Sequence, residues 1–413
     1  MFEILLIGIS GGRLEPKQRQ RIKHCGAVVA AQRHHQLLSG LDIHRIAISP
    51  VEGMIFELAV ALQSGDVAVL ASGDPLFFGI ARTLIERFGA ERVQVFPALS
   101  AVQLACARFK LPWDDLPLIS LHGRAPEVLA GKILAQPRVM IFTDQHHSPN
   151  RLAADLLALL QAHGDTERMA RLRVRVAENL GWPEERLWAG SLAEATQHQF
   201  APLNMMLLEQ EAVEEEEPTE PACVFGLQEE EIKHSRGLIT KDEVRAVILH
   251  RLRLPPHGVF WDIGGGSGSI SVEAARLCPE LAIYVIEQKE EGQHNIRANI
   301  VRYGLYNITL VCGSAPEVCA RLPNPDRIFI GGSRGLLAEI IAPCAHRLSQ
   351  GGRLVVSAVL QNTAEQAPRL MASNGLETDA RTISVTREQK EYGDDGQPSG
   401  LRLNPITIIT GKK

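Results

Sequence analysis

The stretch DIGGGSGSISVEAAR, Asp262 to Arg276, decides the fold of the second half of this chain. It follows the bulky apolar run Val259-Phe260-Trp261, which is typical of a buried parallel strand. The glycines of the turn have the spacing G-x-G-x-G, at Gly264, Gly266 and Gly268. Ile270 then begins the apolar spacing of a helix. A glycine turn between strand and helix lets a ligand approach the backbone, where the helix N-terminus offers N–H groups.

An acid after the next apolar run indicates the ligand. Glu287 closes the run 282–286, and in a doubly wound sheet an acid at the end of the second strand binds ribose hydroxyls. Ser269 stands where the third glycine of the dinucleotide fingerprint would be. The pattern therefore favours S-adenosylmethionine over a nicotinamide cofactor. For the glycines alone, the alternative is a turn of an ordinary α/β domain without a ligand.

Composition predicts a globular protein of two or three domains. The 413 residues are 45% hydrophobic and 22% charged, and the net charge of −5 argues against general affinity for nucleic acid or anionic membranes. No apolar run approaches the ~18 residues of a membrane span. The seven cysteines are scattered without a C-x-x-C pair, so we expect reduced thiols and no metal site. The start of the chain lacks a basic signal segment, which favours a cytoplasmic location.

In the first half, apolar runs each end in a loop of small or polar residues. The strand candidates are 4–9, 67–70, 93–96, 139–142, 174–177 and 203–208. Ligand sites in open α/β sheets collect where strands end, so these loops are candidates for a binding site. Taken alone, Ser72-Gly73-Asp74-Pro75 is only a turn by composition.

The order of GISGG, SGDPLFFG, PALSA, WDDLPLISLHGR and ENLG resembles the tetrapyrrole (corrin and porphyrin) methylase family, over roughly the first half of the chain. ISLHGR narrows the resemblance to the precorrin branch, whereas GISGG departs from the G-x-G-P-G pattern that is more common in the family. The resemblance implies a two-lobed α/β fold that binds S-adenosylmethionine in a bent conformation between its lobes. The residues implied to line that pocket are Asp74, Phe77, Ser100, Ala101, Thr143 and Leu180.

An acidic stretch divides the chain. Glu214 to Glu217 is followed by Pro218, and a charge block with proline cannot bury apolar surface. We therefore predict a tetrapyrrole methylase domain at 1–210, an acidic linker at 211–234 and a methyltransferase domain at 235–413.

The second half alternates strands with helices. Thr240 and Glu243 have the T-x-x-E spacing that predicts a capping box at a helix start. A crossover helix is predicted at 290–303. Strands are predicted at 259–261, 282–286, 308–312, 327–330, 352–357, 382–386 and 405–409. This order predicts a doubly wound, seven-stranded Rossmann-like methyltransferase fold.

GLITKDEVRA, DIGGGSGSISVEAAR, NITLVCGSAPE and IFIGGSRG together resemble the decarboxylating precorrin methyltransferase family. The residues that this resemblance places at the cofactor are Thr240, Gly264, Gly265, Gly266, Ser267, Gly268, Glu287, Ser314 and Ala315. Where the family often reads GGSGG, this chain has Arg334. A tetrapyrrole with many carboxylates needs cationic partners, so Arg334, His122 and Arg124 are hypotheses for substrate binding. The alternative for each is a solvated surface position.

The two resemblances in one chain imply an enzyme of cobalamin biosynthesis. It would methylate precorrin-6B at C-5 with its first half and at C-15 with its second, and remove the C-12 acetate carboxyl to give precorrin-8. No catalytic side chain is predicted, because the electron-rich ring carbon can itself be the nucleophile. The expected partners are the tetrapyrrole and further copies of the chain, without nucleic acid or membrane. Two alternatives stay open, namely a nucleic-acid or protein methyltransferase and a non-enzymatic S-adenosylmethionine sensor.

Overall fold

The computed structural model describes residues 2–121, 126–211, 223–392 and 398–413. The chain forms two compact units. Unit 1 comprises Met1–His122, Arg138–Ala153 and Leu172–Glu209, and unit 2 comprises Gly123–Pro137, Ala154–Arg171 and Gln210–Lys413. The linear domain boundaries at 210 and 235 stay a prediction.

The first sheet of unit 1 is parallel, with strand order β3-β2-β4-β1-β5. Its strands are β1 (Ile4–Ile9), β2 (Ala27–Ala30), β3 (His44–Ala47), β4 (Val67–Ser72) and β5 (Val93–Phe96). Strands of a parallel sheet are covered on both faces, which explains the continuous apolar runs of β1 and β4. Ile9 of β1 lies opposite Ser72 of β4, so the loops that follow these two strands are neighbours.

The second sheet of unit 1 is mixed, with strand order β6-β7-β10-β8-β9. Its strands are β6 (Leu118–Ser120), β7 (Arg138–Phe142), β8 (Leu172–Glu178), β9 (Arg186–Ser191) and β10 (Asn204–Gln210). The helices of the first half of the chain are α1 (Pro16–Lys23), α2 (Val51–Ala61), α3 (Ala81–Phe88), α4 (Ala101–Phe109), α5 (Pro126–Leu134), α6 (Pro149–His163), α7 (Thr166–Arg171) and α8 (Leu192–Gln197). Two α/β sheets in unit 1 confirm the expected two-lobed fold.

Unit 2 contains a seven-stranded sheet with the order β13-β12-β11-β14-β15-β19-β16, parallel except for β19. The strands are β11 (His257–Ile263), β12 (Glu280–Glu287), β13 (Ile308–Cys312), β14 (Arg327–Ile330), β15 (Arg353–Ala358), β16 (Glu377–Ile383), β17 (Thr386–Tyr392), β18 (Pro398–Arg402) and β19 (Ile406–Lys412), of which β17 and β18 pair separately. The helices are α9 (Asp242–Leu252), α10 (Ser269–Leu277), α11 (Glu290–Tyr303), α12 (Leu337–Arg347) and α13 (Gln361–Ser373). The doubly wound, seven-stranded prediction is confirmed.

The capping box predicted at Thr240 is wrong by one position. Helix α9 begins at Asp242, and its N-cap position is held by Lys241, whose side chain makes no capping bond. Glu243 instead accepts hydrogen bonds from Nε and Nη2 of Arg387, at 2.8 and 2.9 Å. The carboxylate therefore forms a long-range ion pair with β17, and the reciprocal bond of a capping box does not form.

Across the described ranges, the longest apolar helices still fall short of what a membrane crossing requires.

Candidate functional sites

A cavity of about 560 Å³ lies at the carboxyl end of the unit 2 sheet. Four consecutive parallel strands, β11 to β14, contribute the loops around it, as expected for a doubly wound sheet. The predicted site residues that line it are Gly264, Gly266, Ser267, Glu287, Ser314, Ala315 and Arg334. The structure thus brings together residues that lie up to three crossovers apart in the chain.

Glu287 is held in place by the backbone of two loops. Its carboxylate accepts a hydrogen bond from the Gly266 N–H at 2.8 Å and another from the Lys289 N–H at 2.8 Å. The residue is 9% exposed and lines the cavity. Fixing a carboxylate with two backbone donors prepares it to accept further hydrogen bonds from a ligand with hydroxyl groups.

The glycines of the turn have different tasks. A Cβ on Gly264 would lie 2.9 Å from the backbone nitrogen and oxygen of Gly332, and a Cβ on Gly265 would lie 2.3 Å from Val285 Cγ2. Gly266 has φ +59° and nothing within 4 Å of its Cβ position, so its Cα faces open space. Gly268, with φ +78°, is the N-cap residue of α10. Gly264 and Gly265 therefore allow close packing, whereas Gly266 leaves room in the cavity.

These geometries predict different effects of two alanine substitutions. We expect Gly264→Ala to lower the free energy of unfolding of unit 2 by about 2–4 kcal/mol, because a left-handed backbone and a backbone collision combine. Gly266→Ala should cost about 1–2 kcal/mol of stability, since only the backbone strain applies. Its methyl group should nevertheless weaken cofactor binding about tenfold or more by occupying the cavity. Thermal unfolding and ligand titration measure the two effects, and equal stability of both variants would contradict this assignment.

Two buried asparagines, which the sequence interpretation missed, hold the cavity wall. Asn299 Nδ2 donates to the carbonyls of Lys233 at 2.9 Å and Ser267 at 3.0 Å, and its Oδ1 accepts from the Lys233 N–H at 2.8 Å. Asn295 Nδ2 donates to Ser235 Oγ at 2.9 Å. They stand one helical turn apart on α11, a spacing that could have identified them as a polar stripe. Through them α11 positions the segment before α9 and the glycine turn together.

The predicted Thr240 and the neighbouring Asp262 serve the scaffold in this structure. The carbonyl of Thr240 accepts a hydrogen bond from Arg245 Nη1 at 3.2 Å, and Thr240 is not among the lining residues. Asp262, at the end of β11, accepts from Ser271 Oγ at 2.6 Å, whereas its Oδ1 has no partner among the described residues. Burial, with a smaller contribution from Glu287, raises the pKa of Asp262 to about 6. This carboxyl group joins the strand end to α10.

Unit 1 contains a smaller cavity of about 80 Å³, lined by loops from both of its sheets. The loops are those after β1, β2, β4, β5 and β8, together with the start of β10. Among the predicted cofactor residues, Ala101 and Leu180 line it. Residues that sequence interpretation missed there include His34, Trp182 and Asn204.

Close backbone contact joins the first loop to the loop after β8. A Cβ on Gly181 would lie 2.2 Å from Gly11 Cα, and a Cβ on Gly12 would lie 2.8 Å from the Trp182 ring. Gly11, Gly12 and Gly181 all have positive φ, at +66°, +60° and +76°. The GISGG loop thus uses its glycines for contact with ENLG, although it lacks the more common G-x-G-P-G pattern.

The other four residues predicted for the unit 1 pocket are not among the residues that line the cavity, and their contacts are local or with its neighbours. Asp74 Oδ1 accepts from the Leu76 N–H at 2.9 Å, which closes a turn. The ring of Phe77 packs 5.8 Å from that of Phe142, centroid to centroid. Ser100 caps α4 by accepting from the Gln103 N–H at 3.2 Å. Thr143 Oγ1 donates to Oδ1 of the lining residue Asn204 at 2.6 Å. His122 and Arg124, proposed for the substrate, lie outside the described residues.

Arg334 occupies a conformation that suits glycine. Its φ is +50°, in the left-handed region, so the GGSRG loop keeps the backbone path that a glycine adopts without strain. The guanidinium is exposed and donates to Oε1 of Gln288. Arg334 and Lys289 are cationic lining residues of the unit 2 cavity, beside the apolar Leu238 and Leu336.

Comparison with known proteins matches both halves of the chain. The family model of the precorrin methyltransferase domain matches residues 231–391, and that of the tetrapyrrole (corrin/porphyrin) methylases matches residues 10–196. Precorrin-6Y C(5,15)-methyltransferase [decarboxylating] of Sinorhizobium sp is 34% identical over 355 residues, which cover 85% of this chain and 82% of that protein. The probable cobalt-precorrin-6B C(15)-methyltransferase (decarboxylating) of Pyrobaculum calidifontis is 35% identical over 196 residues, or 46% of this chain and 98% of its own. The crystal structure of precorrin-6y C5,15-methyltransferase from Geobacter metallireducens is 39% identical and covers 46% of this chain and 96% of its own, with a TM-score of 0.43.

Proposed function

We propose, since this chain belongs to the family of decarboxylating precorrin-6Y C(5,15)-methyltransferases, that it methylates a precorrin at C-5 and C-15 and removes the carboxyl group of the C-12 acetate. The substrate would be precorrin-6B and the product precorrin-8, in cobalamin biosynthesis. The observation that carries the proposal is the presence of a separate loop-lined cavity in each unit. We assign C-5 methylation to unit 1, and C-15 methylation with decarboxylation to unit 2.

The unit 2 cavity fits S-adenosylmethionine. The carboxylate of Glu287, fixed by the N–H groups of Gly266 and Lys289, is an acceptor for both ribose hydroxyls. The open face of Gly266 provides space for the cofactor that any side chain would reduce. When bound, S-adenosylmethionine supplies an electrophilic methyl group. The residues of the chain then have to align the acceptor carbon with it and exclude water, to which Ile263, Leu336 and Ile340 contribute apolar walls.

Methylation at carbon requires no activated side-chain nucleophile here. A reduced tetrapyrrole has enamine-like meso carbons that are themselves nucleophilic, so positioning supplies most of the rate enhancement. Decarboxylation needs an electron sink, which the pyrrole-derived ring provides once it is protonated. The cations Arg334 and Lys289 and the apolar Leu238 and Leu336 match a flat apolar ring with carboxylates at its periphery.

Two substitutions of Arg334 distinguish the effect of its charge on substrate binding from the effect of its backbone strain on stability. We expect Arg334→Ala and Arg334→Gly each to raise KM for the tetrapyrrole about tenfold, because both remove a cation that faces carboxylates. Only Arg334→Gly should also stabilise the protein, by about 1 kcal/mol relative to Arg334→Ala, since glycine accepts the left-handed backbone. Steady-state kinetics and thermal unfolding test the two effects. An unchanged KM in both variants would remove Arg334 from the substrate site.

The proposed function is tested with the intact chain, S-adenosylmethionine and precorrin-6B, by product mass. We expect a gain of two methyl groups with loss of one carbon dioxide. Methylation of nucleic acid or protein in place of the tetrapyrrole, or binding of S-adenosylmethionine without any transfer, would favour the rival functions.

We also propose a cytoplasmic homo-oligomer, as closed symmetric assemblies are common. Light scattering of the purified chain tests the assembly.

A further inference from the structure

The histidine that follows β2 is buried at the unit 1 cavity with one nitrogen unsatisfied. His34 is 1% exposed and lines the cavity. Its ring stacks on Trp182, with centroids 6.5 Å apart and planes 4° apart. Its Nδ1 is buried and has no hydrogen-bond partner among the described residues. Buried polar atoms are nearly always paired, so an orphan at a cavity indicates a partner that arrives with the ligand.

The surroundings of Ser72 determine which nitrogen of His34 carries the proton. Arg33 Nη2 donates to Ser72 Oγ at 3.0 Å, and Ser72 Oγ lies 3.3 Å from His34 Nε2. Arginine can only donate, so Ser72 Oγ accepts from Arg33. Among the described residues, the hydroxyl proton of Ser72 then has only Nε2 of His34 as an acceptor, which favours the tautomer in which Nε2 accepts. Burial, assisted by the charges of Arg33 and His35, lowers the pKa of His34 to about 4, so the ring is neutral at neutral pH. A neutral imidazole that accepts at Nε2 carries its proton on Nδ1, and the orphan is therefore a donor.

The electrostatic environment favours a negatively charged acceptor. Among the described residues that line the cavity, His34 is the only ionisable side chain, so no carboxylate of the wall competes for its proton. Arg33, which donates to Ser72, adds a positive charge close to His34. Within the described ranges, no acidic side chain forms an ion pair with Arg33. Gly11, Gly12 and Gly73 leave the adjacent wall without side chains. A carboxylate at the end of a ligand is the group that these conditions suit best.

We infer that His34 donates a hydrogen bond from Nδ1 to the amino-acid carboxylate of S-adenosylmethionine bound in unit 1. This inference rests on the proposed function, because it takes the cavity to be the cofactor site of the first methyl transfer. His34 is in this role a binding residue. It anchors the end of the cofactor that does not react, and leaves the sulfonium methyl to the tetrapyrrole.

Three substitutions of His34 test the inference in the intact chain. His34→Phe keeps a ring against Trp182 but removes both nitrogens. His34→Gln places its amide nitrogen near the position of Nε2, and His34→Asn places its amide nitrogen near the position of Nδ1. The probe is S-adenosylhomocysteine, titrated by calorimetry in a Glu287→Gln background that silences unit 2. We expect the Phe and Gln variants to bind S-adenosylhomocysteine at least tenfold more weakly than the same background with His34 does. The affinity of the Asn variant should lie within about threefold of that reference.

A second probe separates the carboxylate from the rest of the cofactor. Methylthioadenosine lacks the amino-acid portion, so its affinity should be equal for the chain that keeps His34, the His34→Phe variant and the His34→Asn variant. An equal loss of affinity for both probes would place the acceptor on the adenosine and overturn the inference. Unchanged affinity for S-adenosylhomocysteine, with a raised KM for the tetrapyrrole, would place it on the substrate and also overturn it. Unchanged affinity of His34→Phe for methylthioadenosine excludes a loss of folding in unit 1, and recovery in His34→Asn shows that the aromatic ring itself is not required.

Failure of the proposed function gives a different result. If the chain without any substitution binds one S-adenosylhomocysteine and the Glu287→Gln variant binds none, unit 1 has no cofactor site, and the proposed function and the inference fail together. If that chain binds two and His34→Phe still binds two with unchanged affinity, the proposed function survives and the inference alone fails.

Discussion

Replacement of Glu287 by glutamine is expected to reduce the number of S-adenosylhomocysteine molecules bound per chain from two to one. The carboxylate accepts from the N–H groups of Gly266 and Lys289. We propose that its remaining lone pairs accept from the hydroxyl groups of the cofactor ribose. A glutamine has one acceptor oxygen, and its amide NH₂ would face one of these backbone donors. One N–H group then loses its partner, and the ribose loses an anionic acceptor. Two hydrogen bonds to a charged group amount to about 3 kcal/mol, or a loss of affinity of about 100-fold.

Glu291→Gln is the matched control, because Glu291 lines the same cavity with the same side chain. Its carboxylate is half exposed and lies 3.8 Å from the exposed Arg236, so its charge contributes little. We expect it to change affinity less than about threefold. The Glu287→Gln variant should also release no carbon dioxide from the tetrapyrrole. Two tight sites in that variant would contradict both the assignment of Glu287 and the role of unit 2.

The local pattern of the sequence was sufficient to predict which loops line the unit 2 cavity. Strand, glycine turn, helix and a closing acid follow one another within about 30 residues, the length of one βαβ unit. Each element therefore has a fixed place relative to the next, and Glu287 must lie beside Gly266. The same reasoning placed Ser314 and Ala315 at the end of β13, since parallel strands present their carboxyl ends at one edge.

Residues whose role depends on partners distant in the chain could not be predicted in this way. Asn299 acts through Lys233 and Ser267, and Glu243 through Arg387 of a hairpin that the pattern did not indicate. His34 follows β2, a four-residue strand too short for a clear apolar period. Its importance arises only because β4 brings Ser72 to it. Ser100 shows the reverse case, in which a motif residue has a local role as a helix cap.

Replacement of Gly181 by alanine is expected to eliminate the unit 1 site. The new Cβ would lie 2.2 Å from Gly11 Cα, and both atoms are held by backbone, so one loop must move away from the other. The left-handed backbone at φ +76° adds strain for alanine. We expect the free energy of unfolding of unit 1 to fall by about 3 kcal/mol.

The measurements are thermal unfolding and titration with S-adenosylhomocysteine, which should find one site per chain in the Gly181→Ala variant, because the separated loops no longer form the cavity. Gly40→Ala is the control in the same unit, since it has a similar φ of +71° but meets only the end of the Arg19 side chain, at 3.5 Å. It should cost about 1 kcal/mol and keep both sites, because strain alone leaves the cavity walls in place. If Gly181→Ala also binds two molecules, contact between the GISGG and ENLG loops is not required for the cofactor site of unit 1. If only Gly181→Ala, and not Gly40→Ala, loses the second molecule, the unit 1 site depends on the close contact between Gly11 and Gly181. Backbone strain, which both variants share, is then not the cause.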